Sequence, residues 1–235
     1  FINLNNEKNH IIKLNNRVFR PTDTSNLLLS SLTNQKLKGK ILDLGCGSGY
    51  IAINLLNLKN PKIKMYASDI SDEACKLTEK NASLNGLKIN VKKGSLYQPW
   101  KDSKFNFIIN DVSGISEVLA KKSKWFKNVS CNSGEDGTKL TLNVLKNSKK
   151  HLLKDGTIIF PILSLANEKK IFNYLKNNFK KYKILMVQNW VMPKELMKHS
   201  KILEKLKKKK FISFEKKFGL YICNTKLYML GNNLK

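Results

Sequence analysis

The stretch over residues 40–56 constrains the fold more than any other part of this 235-residue chain. It reads as an apolar run, Ile41-Leu42-Asp43-Leu44, then Gly45-Cys46-Gly47-Ser48-Gly49, then the helical pattern Tyr50-Ile51-Ala52-Ile53-Asn54-Leu55-Leu56. A strand that turns through alternating glycines into a helix brings backbone N–H groups and a helix N-terminus up to a ligand, because glycine has no Cβ to hold it off. That is a nucleotide-type site, and its spacing selects among nucleotides. A dinucleotide fingerprint, Gly-x-Gly-x-x-Gly, requires glycine at position 50, where Tyr50 stands. A P-loop requires Gly-Lys-Ser/Thr after four intervening residues, and nothing here supplies it.

What remains, Asp-x-Gly-x-Gly-x-Gly from Asp43 to Gly49, resembles the S-adenosyl-L-methionine (SAM) site of class I methyltransferases. SAM carries a sulfonium cation, a zwitterionic amino-acid end and an adenosine, but no phosphate. A carboxylate beside the glycine turn therefore suits it, whereas a pyrophosphate would be repelled. The resemblance implies Asp43 near the methionine amino group, with Gly45, Cys46, Gly47 and Gly49 around the methionine end. Cys46 stands where only a small side chain fits. Asp69 closes the next apolar run about 20 residues on, where an acid holding a ribose diol belongs. The same resemblance adds Ile70, Ser95 and Leu96 at the adenosine and Asn110 to the cofactor set. It places Asp111 as the residue that orients the methyl acceptor or takes its proton, with Val112, Ser113 and Gly114 contacting that acceptor. S-adenosyl-L-homocysteine would be the product.

Periodicity organises the rest. Residues 1–38 read as a polar lead-in with a short hairpin near 11–19, then a helix carrying Leu27, Leu28, Leu29 and Leu32. Strands are predicted at 40–44, 63–70, 89–91, 105–111, 157–161, 182–190 and 220–230. Helices are predicted at 50–58, 72–85, 138–153, 168–179 and 196–206. Strand and helix alternate, which argues an α/β, doubly wound, Rossmann-like sheet of seven mostly parallel strands, with the last strand antiparallel at the edge. The methyltransferase domain would span 39–235, and residues 112–137, weakly periodic and rich in small polar residues, would form a substrate loop or lid. The run Lys207-Lys208-Lys209-Lys210 reads as a solvated loop.

The likeness narrows to the HemK-type glutamine methyltransferases. Asp43-Leu44-Gly45-Cys46-Gly47-Ser48-Gly49-Tyr50 and Asp69-Ile70-Ser71-Asp72-Glu73-Ala74 resemble that subfamily, as do Gly134-Glu135-Asp136-Gly137 and the lead-in Phe19-Arg20-Pro21-Thr22-Asp23-Thr24. Two departures bear on the acceptor. The subfamily carries Asn-Pro-Pro-Tyr after the fourth strand, where this chain has Asp111-Val112-Ser113-Gly114: the polar residue is kept as an acid, and the prolines and stacking ring are gone. With little more than 20 residues ahead of the domain, a helical release-factor-binding domain is not expected. Ser95 stands where the subfamily often has an acid reading the adenine amino group.

Charge speaks to partners. With 44 Lys and Arg against 17 Asp and Glu, the formal charge of +27 would draw polyanions, RNA above all. Nearly all of that charge is lysine, Arg17 and Arg20 being the two arginines, so a compositional bias explains it equally well. Four scattered cysteines and three scattered histidines suggest neither a disulfide framework nor a metal site. No apolar run is long enough to span a bilayer, and a cytoplasmic setting is expected. The reading is a SAM-dependent methyltransferase with an RNA or a translation-related protein as acceptor. The alternatives are a small-molecule acceptor, a catalytically silent RNA-binding module and, against the glycine spacing, an NAD oxidoreductase.

Overall fold

The computed structural model describes residues 10–58 and 62–231. Strand β1 (Gly39–Leu44) is buried from Ile41 onward because both its faces are covered, as in parallel sheets generally. It lies between β2 (Ile63–Asp69) and β4 (Phe105–Asn110), parallel to both. β3 (Ile89–Lys93) extends the sheet beside β2, and β5 (Leu152–Leu163) beside β4, again in parallel. After β6 (Tyr182–Val191) and the short β7 (Glu215–Lys217), β8 (Leu220–Gly231) runs antiparallel to β5, β6 and β7. The order is β3-β2-β1-β4-β5-β8-β6, with β7 attached to β8.

The helices are α1 (Asp23–Thr33), α2 (Tyr50–Asn57), α3 (Asp72–Leu84), α4 (Glu117–Ala120), α5 (Lys139–His151), α6 (Glu168–Asn178), α7 (Lys194–Met197) and α8 (Ser200–Lys208). Alternation along the strands sorts them to two faces. Ile41, Met65, Ile109, Ile159 and Met229 meet Leu28 and Leu32 of α1 and Leu55 of α2. Leu42, Leu44, Ile108, Ile158 and Phe160 meet Val144 and Leu145 of α5 and Ile171 and Leu175 of α6. A third cluster joins Ile115, Leu119 and Ala120 to Met192, Leu196, Leu203, Leu206 and Phe214. It welds segment 112–137 to the chain between β6 and β8.

The doubly wound, mostly parallel sheet is as expected, and four elements differ in detail. The antiparallel β8 sits one place in from the border, between β5 and β6, because its residues Cys223, Leu227 and Leu230 are apolar enough to be covered while β6 is half exposed. β7 adds an eighth strand, turned back on β8 through Phe218 and Gly219, both with positive φ. No hairpin forms at 11–19: the lead-in runs extended across α3, held where the Ile11 and Lys13 N–H groups donate to Asn85 Oδ1 (3.2 Å) and Asn81 Oδ1 (3.0 Å). Lys207 and Lys208 close α8, and the Lys207 ammonium donates to the Phe214 carbonyl at 2.9 Å, so the tetralysine run is only partly loop. Among the described residues no helix is long and apolar enough to cross a membrane.

Candidate active site

The strand order reverses between β1 and β4, and a crevice at the carboxyl ends of the strands follows at such a point. Leu44 and Asn110 are register partners there, so the glycine turn and Asp111 leave the sheet side by side. Gly45, Gly47 and Gly49 all have positive φ (79°, 55° and 79°). A Cβ at Gly45 would lie 3.1 Å from Val112 Cγ1, and one at Gly49 would lie 3.0 Å from Thr78 Cγ2. The turn is therefore shaped by glycine at both ends. The Cys46 thiol is buried and accepts from Thr78 Oγ1 at 3.4 Å, which leaves no space for a larger residue.

Asp43, one residue before β1 ends, is 1% exposed beneath the first turn of α2. Neither of its oxygens makes a well-formed hydrogen bond among the described residues; the Ala52 amide is the donor that draws weakly on it. Burial, and next the negative charges of Asp111 and Asp69, push its carboxyl well above the usual range. Asp69, at the tip of β2, accepts from the Gly47 N–H (3.1 Å) and the Ser71 N–H (2.9 Å). Burial raises its pKa and those amides oppose the rise. It thus ties the glycine turn to the start of α3. Ile70 beside it is 63% exposed, an apolar side chain left facing outward.

The loop after β3 forms the next wall. Leu96 takes a positive φ of 49° and its carbonyl accepts from Ser68 Oγ at 3.2 Å, while Ser95 is exposed. A 3-10 turn at Gln98–Trp100 then buries Tyr97 and Trp100.

At the end of β4 the Asn110 amide is 1% exposed, and neither its nitrogen nor its oxygen has a partner among the described residues. The Asp111 N–H donates to the Leu44 carbonyl at 3.1 Å, which fixes the backbone at the crevice. Its half-buried carboxylate accepts from Ser25 Oγ of α1 at 2.7 Å. Burial pushes the carboxyl up to about 7, the Ser25 hydroxyl opposing. Val112 packs on Gly45, and Ser113 and Gly114 follow half-buried.

Sequence reasoning marked the lead-in as a motif but gave it no part in the site. The Phe19 carbonyl lies 3.4 Å from where a Cβ of Gly47 would be, and the Phe19 ring packs on Phe126 with centroids 4.9 Å apart. Asn81 of α3 donates to both the Lys13 and Ser48 carbonyls, at 3.0 and 2.8 Å. The chain ahead of α1 therefore laces the glycine turn, α3 and segment 112–137 together. The Gly134–Gly137 motif serves that segment rather than the crevice. Its Gly134 N–H donates to Glu117 Oε1 at 2.6 Å, and Asp136 accepts from the Thr138 N–H and from Lys170 at 2.7 Å.

With this geometry in place, comparison with known proteins is informative. Residues 18–111, which run from the lead-in to the tip of β4, match the model of the methyltransferase small domain. This region is similar to the methyltransferase small domain. Over 165 residues the chain is 32% identical to the release factor glutamine methyltransferase of Aquifex aeolicus, a match covering 63% of this chain and 58% of that one. Over 185 residues it is 28% identical to the ribosomal RNA small subunit methyltransferase C of Buchnera aphidicola, covering 77% and 48%. The chain thus spans about half the length of these curated relatives. The fold is that of the class I methyltransferases. The Thermus thermophilus 16S rRNA methyltransferase bound to AdoMet and guanosine superposes with a TM-score of 0.55 at 12% identity, over 90% of this chain and 43% of that one. The ribosomal protein L11 methylase of Lactobacillus delbrueckii superposes at 0.54 and 23%, over 89% and 80%. The match ends at Asp111, so segments 112–137 and 192–221 lie outside the matched region.

Proposed function

We propose that this chain binds SAM and transfers its methyl group to a nucleophile on a macromolecule, RNA or a protein of the translation apparatus, leaving S-adenosyl-L-homocysteine. One observation carries the reading: a turn of three left-handed glycines is flanked by two strand-tip acids, and the Asp43 carboxylate among them is buried without a well-formed hydrogen bond among the described residues. An unpartnered buried acid is costly unless a donor or cation arrives to complete it. The SAM ammonium is such a group, and a pyrophosphate is not.

In this reading Asp43, Gly45, Cys46, Gly47 and Gly49 hold the methionine end, and Asp69 accepts from the ribose hydroxyls. The exposed Ile70 covers one adenine face, and Ser95 and Leu96 meet its edge. Asn110 offers its unpartnered amide where β4 ends. When bound, SAM supplies an electrophilic methyl whose leaving group needs no protonation. The chain's own part is then to orient the acceptor, exclude water and receive a proton. Asp111 takes that proton, its pKa of about 7 matching the task near neutrality. Segment 112–137, anchored through Ile115 and Leu119, forms the acceptor wall.

The names of the relatives and the charge of +27 support a macromolecular acceptor. A small-molecule acceptor is the second reading, favoured by Gly114 standing where a stacking ring would be expected. No metal is assigned a role. Four free cysteines, three of them buried, fit a reducing, cytoplasmic setting. The test is incubation of the full chain and methyl-labelled SAM with cell extract. Label is expected in RNA or protein; label confined to small metabolites would install the second reading, and no transfer together with no calorimetric heat from SAM would overturn the first.

A further inference from the structure

At the end of the sheet opposite the glycine turn an open groove of about 520 Å³ is lined by Lys40, Lys62, Lys64 and Lys104, with Asn106 and a single carboxylate, Asp102. Its volume lies within the usual range for ligand sites. Lys40 of β1 and Lys64 of β2 are register partners in neighbouring parallel strands, so their side chains leave the same face of the sheet together. Like charges placed so oppose folding unless an anion bridges them. Among the described residues Lys40, Lys64 and Lys104 make no ion pair, although the chain forms such pairs elsewhere, as Lys76 does with Asp72 and Lys216 with Glu204. The floor is fixed. Asn106 Oδ1 accepts the Lys40 N–H at 2.8 Å, and a Cβ at Gly39 would lie 2.1 Å from that oxygen, so glycine is needed for the pairing. The Asn106 Nδ2 is left without a hydrogen bond among the described residues.

We propose that this groove binds phosphate groups, with Lys40, Lys64 and Lys104 as the cations and Asn106 as a neutral donor. Lysine ammonium groups suit phosphate as movable point charges, and the concave wall concentrates their field. The site is separate from the crevice at Asp111, with the length of β1 between them, about 20 Å at ~3.3 Å per residue. Its ligand is either a free oligophosphate or the backbone of a nucleic acid, which share this chemistry.

The test uses the full chain, with thermal shift and calorimetry at constant ionic strength and two probes, sodium tripolyphosphate and a short oligouridylate. Tripolyphosphate is expected to bind saturably and raise Tm, with affinity falling at least about tenfold in Lys40→Gln/Lys64→Gln. The equal charge change Lys205→Gln/Lys208→Gln on α8 should leave it unchanged. Without phosphate, Lys64→Gln alone should melt higher than the parent, because the repulsion across β1 and β2 is gone. Competition between the two probes, with the same loss in the groove variant, assigns the site to a nucleic-acid backbone; binding of tripolyphosphate alone assigns it to a free oligophosphate. Equal loss in both double variants, or no saturable binding, overturns the proposal.

Discussion

At the scale of single residues, the carboxylate of Asp111 decides most. It sits where β4 ends, half-buried, in a 2.7 Å hydrogen bond from Ser25. Because its folded pKa, about 7, lies above its value in an unfolded chain, the folded protein holds a proton that the unfolded chain has released. Stability contributed by this group therefore falls as pH rises from about 4 to 7 and is flat above that. Asp111→Asn should melt above the parent at pH 8, by an amount worth up to about 4 kcal/mol at ~1.4 kcal/mol per unit, and match it below pH ~4. The same variant should keep SAM affinity while turnover drops roughly 10²–10⁴-fold, as expected for loss of a general base. Parallel loss of binding and turnover would make Asp111 a cofactor residue instead. Ser25→Ala removes the donor that holds the pKa down, so the rise of kcat/KM with pH should move to higher pH, and Ser25→Thr should restore it. An unmoved profile would reduce Ser25 to a helix-capping residue. The positions of Asp43, Asp69 and Asp111 at strand tips were legible because each is written at or beside the end of an apolar run; the contact of Ser25 was not, since nothing local marks a serine that bonds a residue 86 positions away.

At the scale of elements, the glycine turn was fully legible and the end of the sheet was not, for one physical reason. A turn is dictated by its own residues through φ, whereas the neighbours of a strand depend on which apolar faces elsewhere need cover. β8 is read easily as a strand, but its place between β5 and β6 is set by contacts across the whole chain. The Gly134–Gly137 motif is a recognisable segment whose glycine is required by packing, since a Cβ at Gly137 would lie 2.6 Å from the Ile115 carbonyl carbon. The turn itself yields a controlled experiment. Gly45 and Gly86 both have positive φ, 79° and 65°, but a Cβ would crowd Val112 at the first and meet nothing within 4 Å at the second. Alanine at either should cost about 1–2 kcal/mol of stability through backbone strain alone. Only Gly45→Ala should also weaken SAM binding, by more than tenfold in calorimetry. Equal SAM affinity in both variants would detach the turn from the cofactor.

At the scale of the whole molecule, 17 carboxylates cannot neutralise 44 cationic side chains, so most lysines repel one another through solvent. The ion pairs that form are mostly exposed, as with Lys76 and Asp72 at 75% and 44% of their side-chain surface, and exposed pairs contribute about 0–1 kcal/mol each. Repulsion summed over the surface should then exceed attraction. Added salt shortens the screening length from about 10 Å at 0.1 M to ~3 Å at 1 M, which weakens distant repulsions more than contacts at 2.6 Å. Tm should therefore rise with sodium chloride between these concentrations, with no phosphate present to occupy a specific site. A Tm that fell would mean that local pairs such as Lys209 with Glu135, which bridges α8 to segment 112–137, outweigh the net charge. In that case salt would loosen segment 112–137 first, and protease cleavage within it would accelerate before the sheet melts. The expected order is the opposite, because Ile115, Leu119 and Ala120 hold that segment by apolar contact, which salt does not screen.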